Sequence, residues 1–218
     1  MNNEWSELNK TMQVQLKKEA TFSEGLNSLF ALREKLFDEI CGFKNTLSRE
    51  DFNAMPFINA NGYHSKTIAY SIWHIFRIED IVAHTLIAGD EQILFSGKYN
   101  ESIGAPIITT GNELVKRQIA DFSSALNIEQ LYRYISDVKR GTEEILKGLS
   151  FAELKRKVTE DAKERLKSLD VVSTDENAVW LIEYWCGKDI RGLIQMPFSR
   201  HWIMHVEASL RIKNKLQA

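Results

Sequence analysis

The chain has 218 residues, which is enough for one good-sized domain with a real core and marginal for two. Apolar residues make up 44% and charged residues 27%, and 28 basic against 30 acidic residues leave a formal net charge of −2. This balance excludes a global attraction to nucleic acid or to an anionic membrane surface.

The chain begins with a polar segment, residues 1–19, which we interpret as an N-terminal extension with a loose leading helix. Its first residues carry acids and are unlike a signal peptide, and no apolar run along the chain approaches the roughly 20 residues of a membrane span. Two cysteines make no disulfide framework and no C-x-x-C pair. We therefore expect a cytoplasmic protein whose residues 20–218 form a single domain.

Apolar residues recur at helical spacing along most of the remaining chain, and strand signals are scarce. The residues from Ser48 to Asp51 form a capping box that opens a short turn. Helices are predicted over about 21–43, 65–88 with Gly89 as the stop, 112–126, 128–149, 151–169, 177–186 and 197–216. Residues 100–111 are predicted to be a loop, which contains the one short strand-like run, 105–110. The prediction is an all-α fold, a four-helix bundle with additional helical insertions.

The final helix carries His201 and His205 four residues apart. Four residues advance about 400° along an α-helix, so both rings lie on one face, one turn apart. That face also carries Phe198, Ala208 and Ile212, which indicates that it points into the core. This spacing allows one helix to offer two nitrogens to one metal ion, although the same pair is also common in helices that bind no metal.

A third ligand should come from another wall of the bundle, and His74 is the best candidate. Its helix face is mostly apolar and includes Tyr70 and Ile78. His84 lies about 80° off that face near the helix end, and His64 lies in a loop before the helix, so both are interpreted as surface or capping histidines. Three histidines fit a catalytic zinc type of site, and nickel, iron, manganese or copper could occupy it too.

The two histidine segments resemble a known family. Residues 71–80, with Trp73 and His74 followed by Glu79 and Asp80, resemble the ligand-bearing helix of the DinB-like (DinB/YfiT-like) superfamily of metalloenzymes. Residues 199–207 resemble the last helix of that family, with its H-x-x-x-H pair. The resemblance implies a four-helix bundle in which His74, His201 and His205 hold a divalent ion, nickel or zinc. The stretches 89–126 and 151–196 are longer than a minimal bundle of this family needs.

The resemblance also implies a chemistry. Characterised members of the family are low-molecular-weight-thiol S-transferases or isomerases, and others look like metal-dependent hydrolases. One metal site supports both reaction types, because coordination lowers the pKa of a water and of a thiol. The resemblance implies a small-molecule substrate, a low-molecular-weight thiol as a second cofactor, and a homodimer. A non-catalytic stress-response or binding protein with a structural or vestigial metal is the alternative.

Further side chains are candidates for the chemistry. Tyr70, one turn before His74, could reach a metal-bound group with its phenol, or could be a core tyrosine with a satisfied hydroxyl. Arg77 could bind a carboxylate or phosphate at a pocket mouth, or could form a surface ion pair. Glu183 or Asp189 could orient a ligand histidine. The basic run within 153–167 is interleaved with acids and indicates a solvated helix face, not a nucleic-acid site.

Overall fold

The computed structural model describes residues 2–218. Apart from one isolated bridge between Lys157 and Asp189, these residues form helices and loops without any strand, so the predicted all-α fold class is confirmed. The α-helices are α1 (Asn3–Gln15), α2 (Phe22–Thr46), α3 (Arg49–Asn53), α4 (Ile68–Asp80), α5 (Ile93–Ser96), α6 (Tyr99–Ser102), α7 (Arg117–Ala125), α8 (Ile128–Lys147), α9 (Glu160–Ser168), α10 (Trp180–Cys186), α11 (Ile190–Gln195) and α12 (His201–Leu216).

Four long helical segments, α2, α4 with its extension, α8 and α12, contribute to the core. Helix α4 continues as a π-helix over Ile81–Ala88 and ends at Gly89, whose left-handed backbone (φ 75°) favours glycine. It packs against α8 and α12, and α2 packs against the same two helices. These are the neighbour relations of a four-helix bundle, which remains our interpretation of them.

The polar N-terminal segment contains a well-packed helix. Helix α1 is capped by the Asn2 side chain, which accepts a hydrogen bond from the Glu4 amide. It packs along α2 and buries Trp5 and Met12. The division of the chain at residue 19 stays a prediction, but this helix is not loose.

Two stretches differ from the predicted helices. Residues 151–169 do not form one helix: a short 3₁₀ turn, Ala152–Lys155, is followed by an extended connection and then by α9. Tertiary contacts override the helical pattern there, because the Arg156 carbonyl accepts a hydrogen bond from the Ile190 amide at 3.0 Å. Residues 112–126 are helical only in α7, because Lys116 just before it adopts a positive φ of 49° that an α-helix cannot contain.

Helices α5 and α11 lie outside the predicted helices, whereas two other local predictions agree with the structure. Ser48 and Asp51 form the predicted capping box at the start of α3. The predicted loop over residues 100–111 begins inside the short helix α6 and then runs without helix or strand. Within residues 2–218, no helix combines the length and the apolarity that crossing a membrane requires.

Candidate metal centre

Helix α4 holds His74 at the centre of the molecule. The Thr67 side chain caps the helix by accepting a hydrogen bond from the Tyr70 amide at 2.9 Å. Every residue from Ile68 to Asp80 is buried. A helix buried on all sides belongs to the core, so the polar groups of α4 must find partners inside the protein.

Helix α12 supplies the other two histidines. A π-helical segment, Met196–Arg200, with Pro197 near its start, leads directly into α12 at His201. Short π-helical segments often occur at functional sites. His201 and His205 then lie one turn apart and are both buried, with 6% and 2% of their surface exposed.

The structure brings the three predicted ligand histidines together. The ring centroids are 5.0 Å apart for His74 and His201, 4.8 Å for His74 and His205, and 4.6 Å for His201 and His205. One ring nitrogen from each residue lies within 4.8 Å of the other two. Nitrogens bound to one tetrahedral ion at about 2.1 Å lie about 3.4 Å apart. Small rotations of the rings therefore suffice to form a ligand set.

Burial keeps the three imidazoles neutral. It lowers the pKa of His74 to about 4, although the hydrogen bond to Thr110 acts in the opposite direction. Burial also holds the pKa values of His201 and His205 well below their ordinary value, and the neighbouring histidines lower them further. A neutral imidazole has the free lone pair that a metal ion needs.

Several of the cluster's nitrogens have no hydrogen-bond partner in the described residues. They are Nδ1 of His201 and both ring nitrogens of His205, and all three are buried. Buried polar atoms in proteins are nearly always hydrogen-bonded, and an unpaired one is costly. Three neutral imidazoles, each with one ring nitrogen within 4.8 Å of those of the other two, are the donor set that zinc, nickel or a similar divalent ion prefers. The residues therefore fit a metal ion.

A loop segment, residues 108–111, orients His74. Four consecutive carbonyls of this segment accept hydrogen bonds from side chains on one face of α4. The donors and acceptors are Arg77 to Ile108, Trp73 to Thr109, His74 to Thr110 and Tyr70 to Gly111, at 2.7, 3.2, 2.7 and 3.0 Å. A carbonyl can only accept, so Nδ1 of His74 carries the proton and Nε2 keeps its lone pair for a metal.

Gly111 allows this segment to approach α4 closely. Its φ is 81°, and a Cβ atom placed on it would lie 3.0 Å from the Tyr70 ring. Any larger residue would push the segment away from the helix. The end of the strand-like run of the sequence therefore lies in a loop whose carbonyls pair with side chains of a helix and not with another strand.

Tyr70 and Arg77, the two predicted catalytic residues, both anchor this segment. Tyr70 donates its hydroxyl to Gly111, and its ring stacks on His74 with centroids 5.4 Å apart. Burial raises the pKa of the Tyr70 phenol, so it stays protonated. Arg77 is fully buried and donates to Asp80 and Gln92 as well as to Ile108. Arg77 does not lie at a pocket mouth; it forms the alternative ion pair, with Asp80, but the pair is buried and its expected location at the surface is wrong.

A buried ion pair fixes α4 and α12 at the same level. Arg33 of α2 donates two hydrogen bonds to Glu79 at 2.7 and 2.9 Å, and both side chains are completely buried. The indole of Trp202 donates to the same Glu79 carboxylate at 2.9 Å. Glu79 follows His74 on α4, and Trp202 adjoins His201 on α12. The hydrogen bond from Trp202 to Glu79 therefore sets the register of α12 against α4, and this register brings the three histidines together.

Two cavities meet at the histidine cluster. The first, about 240 Å³, is lined mainly by aromatic and aliphatic side chains and reaches His201. The second, about 270 Å³, is lined by polar groups and reaches His205. Tyr63, His74 and Asn112 line both. The histidines thus lie next to space that a small molecule could enter.

Sequence reasoning missed four residues of this site: Tyr63, Lys66, Thr110 and Asn112. The Tyr63 ring meets the His205 ring edge-on, with centroids 4.8 Å apart. Thr110 contributes through its backbone carbonyl, which no side-chain pattern can reveal. Lys66 stands directly before the helix cap Thr67, and this position next to the ligand helix was the one available signal.

The remaining histidines and acids lie outside the cluster. His64 is partly buried and accepts a hydrogen bond from Arg211 at 2.6 Å. His84 is buried, with Nδ1 2.7 Å from Asp90, so its placement at the surface is wrong. It lies in the π-helical part, where the spacing of 3.6 residues per turn does not apply. Glu183 pairs with Lys163 and Asp189 caps α11, so Thr110 and neither acid orients a ligand histidine.

Fold and site define an all-α protein with a buried three-histidine cluster that could hold one metal ion. No protein-family model matches the chain, and no curated protein sequence matches it.

Proposed function

We propose that this protein is a metal-dependent enzyme of the DinB-like superfamily that acts on a small molecule, as a low-molecular-weight-thiol S-transferase or as a hydrolase. The observation that carries the proposal is the position of the histidine cluster. Three neutral histidines, with no fourth His, Cys, Asp or Glu ligand grouped with them among residues 2–218, adjoin two cavities. A catalytic metal site has three protein ligands and access for one more.

The residues around the cluster support a reaction at that point. A bound divalent ion supplies Lewis acidity, which lowers the pKa of a coordinated water or thiol. Asn112, Tyr63 and Lys66 line the polar cavity with hydrogen-bond donors. Donors in a partly buried cavity can stabilise negative charge that develops on a substrate oxygen.

Metal content is the first test. Purified protein reconstituted with zinc or nickel should hold one ion per chain by elemental analysis, and His201→Ala should hold none. His64→Ala, whose imidazole lies outside the cluster, is the matched control and should keep full occupancy. A wild-type chain that stays metal-free after reconstitution would contradict the proposal.

An activity screen separates the two reaction types. Metal-loaded protein is incubated with electrophilic substrates and with activated esters, each with and without low-molecular-weight thiols. Turnover that requires the thiol and yields a thioether indicates an S-transferase, whereas turnover with water alone indicates a hydrolase. A stoichiometric metal without turnover in either screen would favour a structural role for the ion.

A further inference from the structure

The two cavities beside the histidine cluster differ in chemistry. The lining of the first includes the apolar and aromatic side chains of Trp180, Leu181, Tyr184, Trp185 and Pro197. Trp180 and Tyr184 remain 49% and 37% exposed, although large aromatic residues usually lie inside. Aromatic side chains that line a cavity and are still open to solvent are suited to stack against a flat apolar group. This aromatic cavity opens onto His201.

The second cavity contains a cation without an anion. The Lys66 side chain is half-buried, and its ammonium lies 5.0 Å from the centroid of the Tyr70 ring. Within residues 2–218 it has no ion-pair partner, and burial alone lowers the pKa of its ammonium. Removing a charge from water without a counter-ion is costly. A negatively charged group bound in this polar cavity would supply that counter-ion.

The two cavities adjoin each other and share part of their lining. Tyr63, His74 and Asn112 line both, so a molecule that occupied both cavities would lie beside the His74 ring. Ligand sites of proteins commonly occupy roughly 300–1,000 Å³. Each cavity alone lies near or below that range, whereas the pair lies within it.

We propose, on the basis of the metal-dependent function above, that the substrate is a small amphipathic anion with a carboxylate on Lys66 and an apolar, preferably aromatic, group packed against Trp180 and Tyr184 on the wall of the first cavity. The bond that reacts would then lie between the two ends, beside His74. The unpaired ammonium selects the negative charge, and the aromatic cavity selects the other end.

Binding of three simple probes tests this inference without any turnover. Phenylbutyrate carries both ends, phenylbutyramide lacks the charge, and butyrate lacks the ring. Tryptophan fluorescence and calorimetry report binding to the metal-loaded protein and to the metal-free protein. Phenylbutyrate should bind wild type at least about tenfold more tightly than either truncated probe, because one charge-assisted contact and one stacked ring are each worth about that factor.

Variants assign each end of the probe. Lys66→Met should weaken phenylbutyrate about tenfold and leave phenylbutyramide unchanged, whereas Lys66→Arg should keep the preference for the anion. Trp180→Ala should weaken both ring-bearing probes and leave butyrate unchanged. Lys18→Met, at an exposed lysine outside both cavities, is the control for a general charge effect.

The outcomes separate this inference from the proposed function. If the protein holds stoichiometric metal and Lys66→Met binds phenylbutyrate as wild type does, the carboxylate does not use Lys66 and the inference is overturned while the metal site stands. If the protein holds no metal but the metal-free chain still prefers phenylbutyrate in a Lys66-dependent way, the anion site stands and the proposed function falls.

Discussion

Helices α4 and α12 carry two buried polar clusters that differ in one respect. At one level, Arg33, Glu79 and Trp202 form a closed set in which each side chain has a partner. At the adjoining level, His74, His201 and His205 meet, and ring nitrogens of His201 and His205 remain unpaired. The same two helices thus carry, among their buried residues, one satisfied cluster and one unsatisfied cluster.

This difference indicates that the satisfied cluster has a structural role and that the unsatisfied cluster binds a ligand. A closed buried network holds elements together and gains nothing from a ligand. A buried network with unpaired polar groups is destabilising until a ligand supplies the missing partners, so its presence in a folded core indicates a ligand-binding site. The contact between Glu79 and Trp202 sets the register of α4 against α12, and this register places the three histidines next to one another.

The largest change in the free energy of unfolding should follow from breaking the buried cluster of Arg33, Glu79 and Trp202. Glu79→Gln removes the fully buried counter-ion of the Arg33 guanidinium, which keeps only the longer ion-pair contact with Glu143 at 3.3 Å, and should lower the free energy of unfolding by about 3 kcal/mol. Urea denaturation of the metal-free protein measures it. Glu183→Gln, which breaks an exposed pair with Lys163, is the control and should cause no measurable change. Equal effects of the two substitutions would refute the structural role of the Arg33–Glu79 pair.

The second-largest change in the free energy of unfolding should follow from metal binding to His74, His201 and His205. Zinc at about 100 times its dissociation constant should raise the free energy of unfolding by about 2.7 kcal/mol. His205→Leu should abolish this gain, while the metal-free variant should be at least as stable as the metal-free wild type because an unpaired buried imidazole is removed. A variant that is still stabilised by zinc would show that the ion binds elsewhere.

The comparison also shows what the sequence could predict. The pair His201 and His205 follows from helix periodicity, and the helical face of α4 selects His74. The level at which the two helices meet depends on the contact between Glu79 and Trp202, which are 123 residues apart. No local sequence pattern predicts a contact between two residues so far apart along the chain. The same limit applies to residues 108–111, whose carbonyls find their donors on α4 and whose strand-like pattern carries no sign of that partner.

The free energy of unfolding of the metal-free protein should depend on pH through the histidine cluster. Burial lowers the pKa of His74 to about 4, against about 6.5 in the unfolded chain. The unfolded state therefore takes up protons first, so stability is fully present above about pH 6.5 and is lost as the pH falls towards about 4. His74 alone should account for about 2 kcal/mol between about pH 7 and about pH 5.

Urea denaturation of the metal-free wild type and of His74→Leu across this range measures the effect. The variant has one titrating group fewer and should lose about 2 kcal/mol less than wild type. Parallel pH profiles of the two proteins would mean that His74 is protonated, or exposed, in the folded chain.

The smallest effect should come from Tyr70, which touches the histidine cluster but is itself satisfied. Tyr70→Phe removes the hydrogen bond to the Gly111 carbonyl and should lower the free energy of unfolding by about 1 kcal/mol. The stacked ring on His74 is retained, so metal occupancy should be unchanged. Elemental analysis and urea denaturation measure these two quantities, and the turnover of the metal-loaded variant measures a third. If occupancy and fold are kept while turnover collapses, the phenol takes part in the reaction. If turnover follows the small loss of stability, Tyr70 only positions the loop segment, residues 108–111, that orients His74.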